Sequence, residues 1–374
     1  MNYIYYQTKT KFSNTGDALI NHALISQLRQ YGKLYANCSS DIPVEFLDLL
    51  GLQTDERIVS NGELAFIRSV ISHGVRCVKN DDCVYVFSGP GDMYGGSLRL
   101  VARNVISSLI FPVFRLLGVK VVRIGRSVGP ISEMMAFSEW LRGLFLSHYY
   151  VRDTVSLARC HKIGIKKTRM CPDLSWAYDS NHEQRTNQTG CVMVNLRNAV
   201  FDDVEQSFID ATLEKCLEVL KELNDCMGGS IKVVVAYQIE EDAEFCKLVY
   251  ERIRQVYPVE HVDHQLKLGE LREAYTRVDC HISNRMHSLL AGYKYGSLPI
   301  ALIDVKTHTK ISATLRDSNL EDLMVDIYGS PKCGQIAELW ENREKYMRCL
   351  MEHEEDNCVA IRKTLEEIFT PRVS

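Results

Sequence analysis

Apolar positions along the chain follow two alternating rhythms: short runs rich in β-branched and aromatic residues, and longer stretches with the three-to-four-residue spacing of an amphipathic helix. In the first half, runs at 3–7, 84–88, 120–124 and 149–151 predict strands, and stretches at 17–31, 97–117, 133–146 and 155–163 predict helices. The segment DSNHEQRTNQT at 179–189 has almost no apolar residues and reads as a linker. Beyond it the alternation resumes, with strands expected at 191–196, 232–236, 259–262, 279–282 and 298–303 and helices at 205–227, 241–257, 269–278 and 285–295. The last stretch, 336–369, interleaves Lys and Glu as a solvated helix does.

Such alternation builds parallel sheets covered by helices. With 374 residues the chain also exceeds what one core usually supports. The expected architecture is α/β, with two Rossmann-like domains, parallel sheets and an interdomain cleft. The expected boundaries are 1–180 for the N-terminal domain, 190–340 for the C-terminal domain, and 341–374 for a C-terminal helix packing back on the first domain. In such folds ligands bind at the carboxyl ends of parallel strands.

Composition narrows the function classes. A hydrophobic fraction of 46%, a charged fraction of 25% and a net charge of −4 are ordinary for a globular protein and give no electrostatic reason to expect nucleic acid as a partner. The 13 cysteines include no Cys-x-x-Cys pair, so they read as reduced, buried small hydrophobes. The N-terminus shows no basic flank followed by an apolar run, and the reading is cytoplasmic. The most apolar stretch, 105–114, is too short to span a bilayer; it predicts a buried core helix, with a shallow contact at the inner face of the cell membrane as the alternative.

Candidate chemistry lies where strands are expected to end. Asn14-Thr15-Gly16-Asp17 opens the first helix, as an anion-binding turn or a plain helix cap. Ser88-Gly89-Pro90-Gly91-Asp92 begins a loop with four glycines in nine residues, in which Asp92 is either a base for a sugar hydroxyl or a turn former. Gly125–Pro130, Arg152-Asp153 and Pro172-Asp173 are individually compatible with turn chemistry. Arg197 ends an apolar strand, where its fork can hold a carboxylate or phosphate. The sharpest segment is Ser283-Asn284-Arg285-Met286-His287, which sets a cation and a proton carrier at the start of an apolar helix. The loop 304–310 adds Lys306, His308 and Lys310, as part of a cationic pocket or as a solvated turn.

Taken in order, Asn14/Gly16/Asp17, Gly89/Gly91, Arg152/Asp153, Pro172/Asp173, Arg197, Ser283/Arg285/His287, Pro299 and Lys310 resemble the pattern of the polysaccharide pyruvyl transferase family. Ala18 stands where the family often has Glu, Pro90 interrupts its glycine triplet, and the lysine loop leaves Lys306 and Lys310 both open as its cation. The resemblance implies a GT-B-like fold and phosphoenolpyruvate as donor substrate. It also implies a hexose acceptor in a surface polysaccharide, exopolysaccharide or capsule, or in an undecaprenyl-linked precursor, and a cyclic ketal as product. On this reading Arg197, Arg285 and Lys310 anchor the donor, His287 is the general acid and Asp92 the general base. Asn14, Gly16, Asp17, Gly89, Gly91 and Ser283 complete the substrate-binding set. No metal or other cofactor is expected, because arginines can neutralise a leaving phosphate. A nucleotide-sugar glycosyltransferase on the same fold is the alternative.

Overall fold

Each expected run of β-branched and aromatic residues forms a strand, and the strands make two wholly parallel sheets. The computed structural model describes residues 1–8, 10–60, 63–77, 82–180, 188–198, 206–329 and 334–370, with the side chains of Ser60, Glu63 and Lys310 also outside the description. Two compact units result. The first comprises Met1–Phe12, Asp17–Tyr178 and Asp356–Ser374; the second comprises Ser13–Gly16 and Asp179–Glu355.

The first sheet is built from β1 (Asn2–Gln7), β2 (Lys33–Ser39), β3 (Arg57–Ser60), β4 (Cys83–Ser88), β5 (Gly91–Gly95), β6 (Lys120–Ile131), β7 (His148–Val151) and β8 (Arg169–Met170). Its order is β3-β2-β1-β4-β6-β7-β8, with β5 paired to β6. Tyr5, Val86, Val121, Tyr149 and Val151 project into one buried cluster with Phe66, Val70 and Phe114 from the covering helices. Such strands are buried on both faces, which is why they read as continuous apolar runs.

The second sheet contains β9 (Cys191–Asn195), β10 (Lys232–Tyr237), β11 (Val259–Gln265), β12 (Cys280–Ser283), β13 (Leu298–Ile303) and β14 (Met324–Asp326). Its order is β11-β10-β9-β12-β13-β14, the doubly wound 3-2-1-4-5-6 arrangement. The order reverses between β9 and β12, so the carboxyl ends of those two strands form the switch point where such sheets bind ligands.

Four expectations need correction. The anticipated glycine loop at Gly125–Pro130 is part of the single strand β6. Gly125 sits there at φ +71°, where the pairing with β7 shifts between Arg123 and Arg126, so it marks a bulge and not a strand end. Asp92 is on the short strand β5, opposite Ser127 of β6, and not in a free turn. The expected helix at 97–117 divides into Leu98–Ser108 and Phe111–Leu116. Its apolar stretch is only partly core: Phe114 is buried, while Ile106, Leu109 and Val113 are exposed. Strands β2, β3, β5, β8 and β14 and the helices Glu63–Cys77 and Thr309–Asp317 were not anticipated. Of the expected linker, residues 181–187 lie outside the described residues. The chain ends in the helices Gln335–Glu341 and Arg343–Phe369, with the Phe369 ring stacked 4.6 Å from Tyr31.

Candidate functional site

In the second unit the candidate side chains Arg197, Ser283, Arg285 and His287 gather at the β9/β12 switch point. Ser283, the last residue of β12, donates its hydroxyl to the carbonyl of Asn195 at the end of β9 (2.7 Å) and accepts the Arg285 backbone N–H (3.1 Å). Asn284 completes the junction. Its Oδ1 accepts the Arg197 N–H and its Nδ2 donates to the Arg197 carbonyl, both at 2.8 Å. One amide thus fixes the backbone of Arg197 relative to that of Arg285. The helix Met286–Lys294 starts immediately after Arg285, placing His287 in its first turn.

Ser13–Gly16 belongs to this same unit. Thr15 N–H donates to Gln238 (3.2 Å), the Thr15 hydroxyl to Leu266 (2.7 Å) and Gln265 Nε2 to Ser13 (2.9 Å). The Asn14 side chain caps the first helix by accepting the Gly16 N–H at 2.9 Å. Gly16 is the seat of His287: a Cβ on Gly16 would lie 2.5 Å from the imidazole Nδ1 and 2.8 Å from the histidine Cβ. Only glycine permits that approach.

The electrostatics of the junction are set by His308, expected in the polar loop 304–310, and by Asp242, which the sequence did not single out. Arg285 holds the buried Asp242 carboxylate at 2.5 Å. Burial raises the Asp242 carboxyl above its ordinary value, against the opposing pull of Arg285 and then Arg197. His308 is 2% exposed and stacks on Phe208. Its Nδ1 faces the Asp304 carbonyl at 3.2 Å. A carbonyl can only accept, so Nδ1 carries the proton of the neutral ring and Nε2 presents a lone pair. Burial, and then the charge of Arg197, push this imidazole down to about 4; Arg285 acts in the same direction. Among the described residues, His308 Nε2, Arg285 Nε and both side-chain polar atoms of Asn195 are buried without a hydrogen-bond partner. Buried polar atoms in native folds are nearly always satisfied, so these atoms make the junction the candidate site for a polar ligand.

The loop 304–310, expected as part of a cationic pocket or as a solvated turn, is ordered around Asp304, which accepts from Lys306 N–H (2.9 Å) and the Thr307 hydroxyl (2.7 Å), and His308 is buried. Lys306 is exposed. Lys310 begins the second position of the helix Thr309–Asp317, and its side chain lies outside the described residues.

The first unit gathers a separate polar cluster. Arg152 reaches Asp92 and Asp173 at 2.9 Å each and Ser127 at 2.5 Å. Ser127 in turn donates to Asp153 (3.0 Å), which caps the next helix through the Ser156 N–H (2.6 Å). Three motifs that read separately as turn chemistry are therefore one network, and it orients the half-exposed Asp92 carboxylate. Gly89 sits where β4 ends beside β1: its N–H donates to Gln7, and a Cβ there would lie 3.0 Å from that carbonyl. Gly91 adopts φ +145°. Asp17 accepts the Thr10 hydroxyl and the Lys11 N–H, folding the segment after β1 onto the first helix.

A family model for polysaccharide pyruvyl transferases matches residues 14–296, a span that includes the Arg152 network, Arg197 and the Ser283–His287 motif but not His308. The chain belongs to the polysaccharide pyruvyl transferase family. No curated protein sequence matches it. Among solved structures it is similar to a glycosyltransferase from Rickettsia africae, with 12% identity over 98% of this chain and 97% of that one and a TM-score of 0.57. It is also similar to a UDP-N-acetylglucosamine 2-epimerase (11% identity, 98% and 94% covered, TM-score 0.55). The S. aureus MnaA–UDP complex is a third (10% identity, 93% and 90% covered, TM-score 0.52). This pyruvyl transferase thus has the GT-B-like fold of two Rossmann-like domains. Its Asn284 was legible as the polar residue inside the Ser283–His287 motif, but Asp242 was hidden in the acidic run Glu240-Glu241-Asp242, which resembles an ordinary solvated helix start.

Proposed function

We propose that the protein is a phosphoenolpyruvate-dependent, ketal-forming pyruvyl transferase that modifies two hydroxyls of a hexose in a surface polysaccharide or its lipid-linked precursor. The observation that carries this reading is the convergence of Arg197, Arg285, His287 and His308 at the switch point, together with buried polar atoms that have no protein partner. The donor carries a carboxylate and a phosphate, and each needs a cationic anchor. Arg197 and Arg285 fill those roles, with Lys310 as a third cation. His287 delivers a proton to the methylene carbon of the enol ether, which becomes the methyl group. A sugar hydroxyl attacks the resulting oxocarbenium-like carbon and gives its proton to Asp92. Phosphate leaves with the electrons of its C–O bond, and a second hydroxyl closes the ring, passing its proton to the departing phosphate. His308 Nε2 accepts a hydrogen bond from a protonated phosphoryl oxygen.

Incubating the protein with phosphoenolpyruvate and candidate glycans should give, by mass spectrometry, the gain of one pyruvyl ketal and one equivalent of phosphate. The bound nucleotide of the S. aureus neighbour motivates the second reading, a nucleotide-sugar glycosyltransferase. Calorimetry separates the two. Tight binding of UDP with none of phosphoenolpyruvate would replace the pyruvyl-transfer reading.

The seat of His287 gives a sharper check. Gly16→Ala should force the imidazole out of place, lowering phosphate release by about a hundredfold while costing about 1–3 kcal/mol of stability from overpacking. Undiminished turnover in a folded Gly16→Ala protein would remove His287 from the chemistry.

A further inference from the structure

The Leu98–Ser108 and Phe111–Leu116 helices seat Phe114 in the core, with Val101, Ile110 and Phe111 packed against it, yet present large apolar side chains outward as well. Part of the inward side of the first helix is polar. Asn104 and Ser108 are buried, with Asn104 donating to Ser138 (2.9 Å) and Glu139 (3.3 Å) and Arg142 donating to Ser108 (2.9 Å) and the Asn104 carbonyl (3.0 Å). The outward side is apolar. Leu98, Ile106, Leu109, Val113 and Leu116 are all exposed, Leu116 at 87% and Leu98 at 70%. Leu98, Ala102 and Ile106 follow the four-residue spacing of one face of the first helix, Leu109, Val113 and Leu116 are exposed on and just before the second, and Phe137 adds an exposed ring from the neighbouring helix Glu133–Gly143. A contiguous exposed stripe of large side chains marks an interaction surface.

The charges choose the partner. No Asp or Glu occurs between Asp92 and Glu133, while Arg99, Arg103, Arg115, Lys120, Arg123 and Arg126 fall in that span. Arg99, Arg103 and Arg115 are exposed beside the stripe. Arg115 also lines a groove with Lys120, Lys166 and Lys167 in which no described carboxylate takes part. Apolar side chains flanked by arginines match the acyl boundary and headgroups of an anionic bilayer. A second copy of this chain is a poorer fit, because a two-fold contact would set the arginines of one copy against their own kind. Among the described residues no helix is long and apolar enough to cross a membrane, so the contact would be a surface one.

We infer that the apolar face of residues 98–116 docks this protein onto an anionic lipid surface. The inference stands independently of the donor assignment above. It is tested by flotation of the full chain with vesicles of phosphatidylcholine alone and with vesicles also containing phosphatidylglycerol. The protein should float with the anionic vesicles, less with the neutral ones, and progressively less as salt is added. Ile106→Glu with Leu109→Glu should weaken partitioning by roughly tenfold or more, with phosphate release on a soluble acceptor and the thermal unfolding midpoint unchanged. Arg99→Glu with Arg103→Glu should abolish the preference for anionic lipid. Failure to float with phosphatidylglycerol vesicles, or flotation indifferent to the double glutamate variant, would overturn the proposal. So would a sedimentation result in which the wild type is a dimer that Ile106→Glu with Leu109→Glu dissociates, since the face would then be covered by a second copy.

Discussion

Arg123→Met is expected to destabilise the first unit by about 3–5 kcal/mol near neutral pH, as removal of one partner of a buried ion pair does. Arg123 and Glu139 are both almost wholly buried and pair directly. The carboxylate is also held by the Tyr149 hydroxyl (2.9 Å) and by Asn104, and the guanidinium lies over the Tyr149 ring. Burial alone would raise the Glu139 carboxyl; Arg123, with help from Arg142 and Arg126, holds it below the ordinary value instead. A lowered folded-state value means that this contribution is present above the ordinary glutamate range and is lost as pH falls through the folded value. Without Arg123 the burial cost is no longer offset, so the deficit of the variant should grow as pH rises from acid to neutral. Urea unfolding at both pH values measures this. Arg123→Met combined with Glu139→Gln should recover most of the loss, because the stranded charge is gone while the hydrogen bonds to Tyr149 and Asn104 can persist. A pH-independent deficit, or no recovery in the double variant, would show that packing and not charge dominates there.

Arg285→Ala is expected to lower phosphate release by at least about a hundredfold, the loss typical when a preorganised charge-stabilising group is removed. It should also cost about 2–3 kcal/mol of stability, because it leaves the buried Asp242 carboxylate without its hydrogen-bonded cation. The pH dependence has a different origin from that at Glu139. Asp242 is raised in the folded state, so its contribution is present below the unfolded value of 3.8 and is lost as pH rises through the raised folded value. Deleting Arg285 removes a charge that opposes the rise, so the deficit relative to wild type should again widen with increasing pH. Arg285→Lys separates the two roles: the charge survives and stability should be largely kept, but the planar fork is lost and phosphate release should still fall. Asp242→Asn should leave the fold intact at neutral pH and raise the KM for phosphoenolpyruvate more than it lowers kcat, since Arg285 keeps its charge and loses its orienting partner. Full activity in Arg285→Ala would refute the anchor role outright.

The alternation of apolar runs and helical stretches was enough to place nine strands and the fold class, because strands buried on both faces are written as unbroken β-branched and aromatic runs. It missed β2, Lys33–Ser39, whose Tyr-Ala-Asn-Cys-Ser pattern is too mixed to stand out, and the short strands β3, β5, β8 and β14. It also took all of 105–114 for core on hydrophobicity alone. Periodicity shows that a helix has an apolar face and not which way that face points. Here Asn104 and Ser108 bond inward, while Ile106 and Leu109 are exposed.

The Ser283–His287 segment was visible as local chemistry because Ser283, Arg285 and His287 sit within five residues of one another at a strand end. Their pairings were not visible, since the partners come from far along the chain: Gly16 against His287, Asp242 on Arg285, and Arg197 locked by Asn284. Sequence alone therefore determined the family order of the motifs and the α/β class, and it named Arg197, Arg285 and His287 as candidates. Only the tertiary structure decided how the charges are compensated and which face of a helix meets solvent. The physical reason is that compensation and burial depend on contacts between residues tens to hundreds of positions apart, while propensity and spacing act within a few.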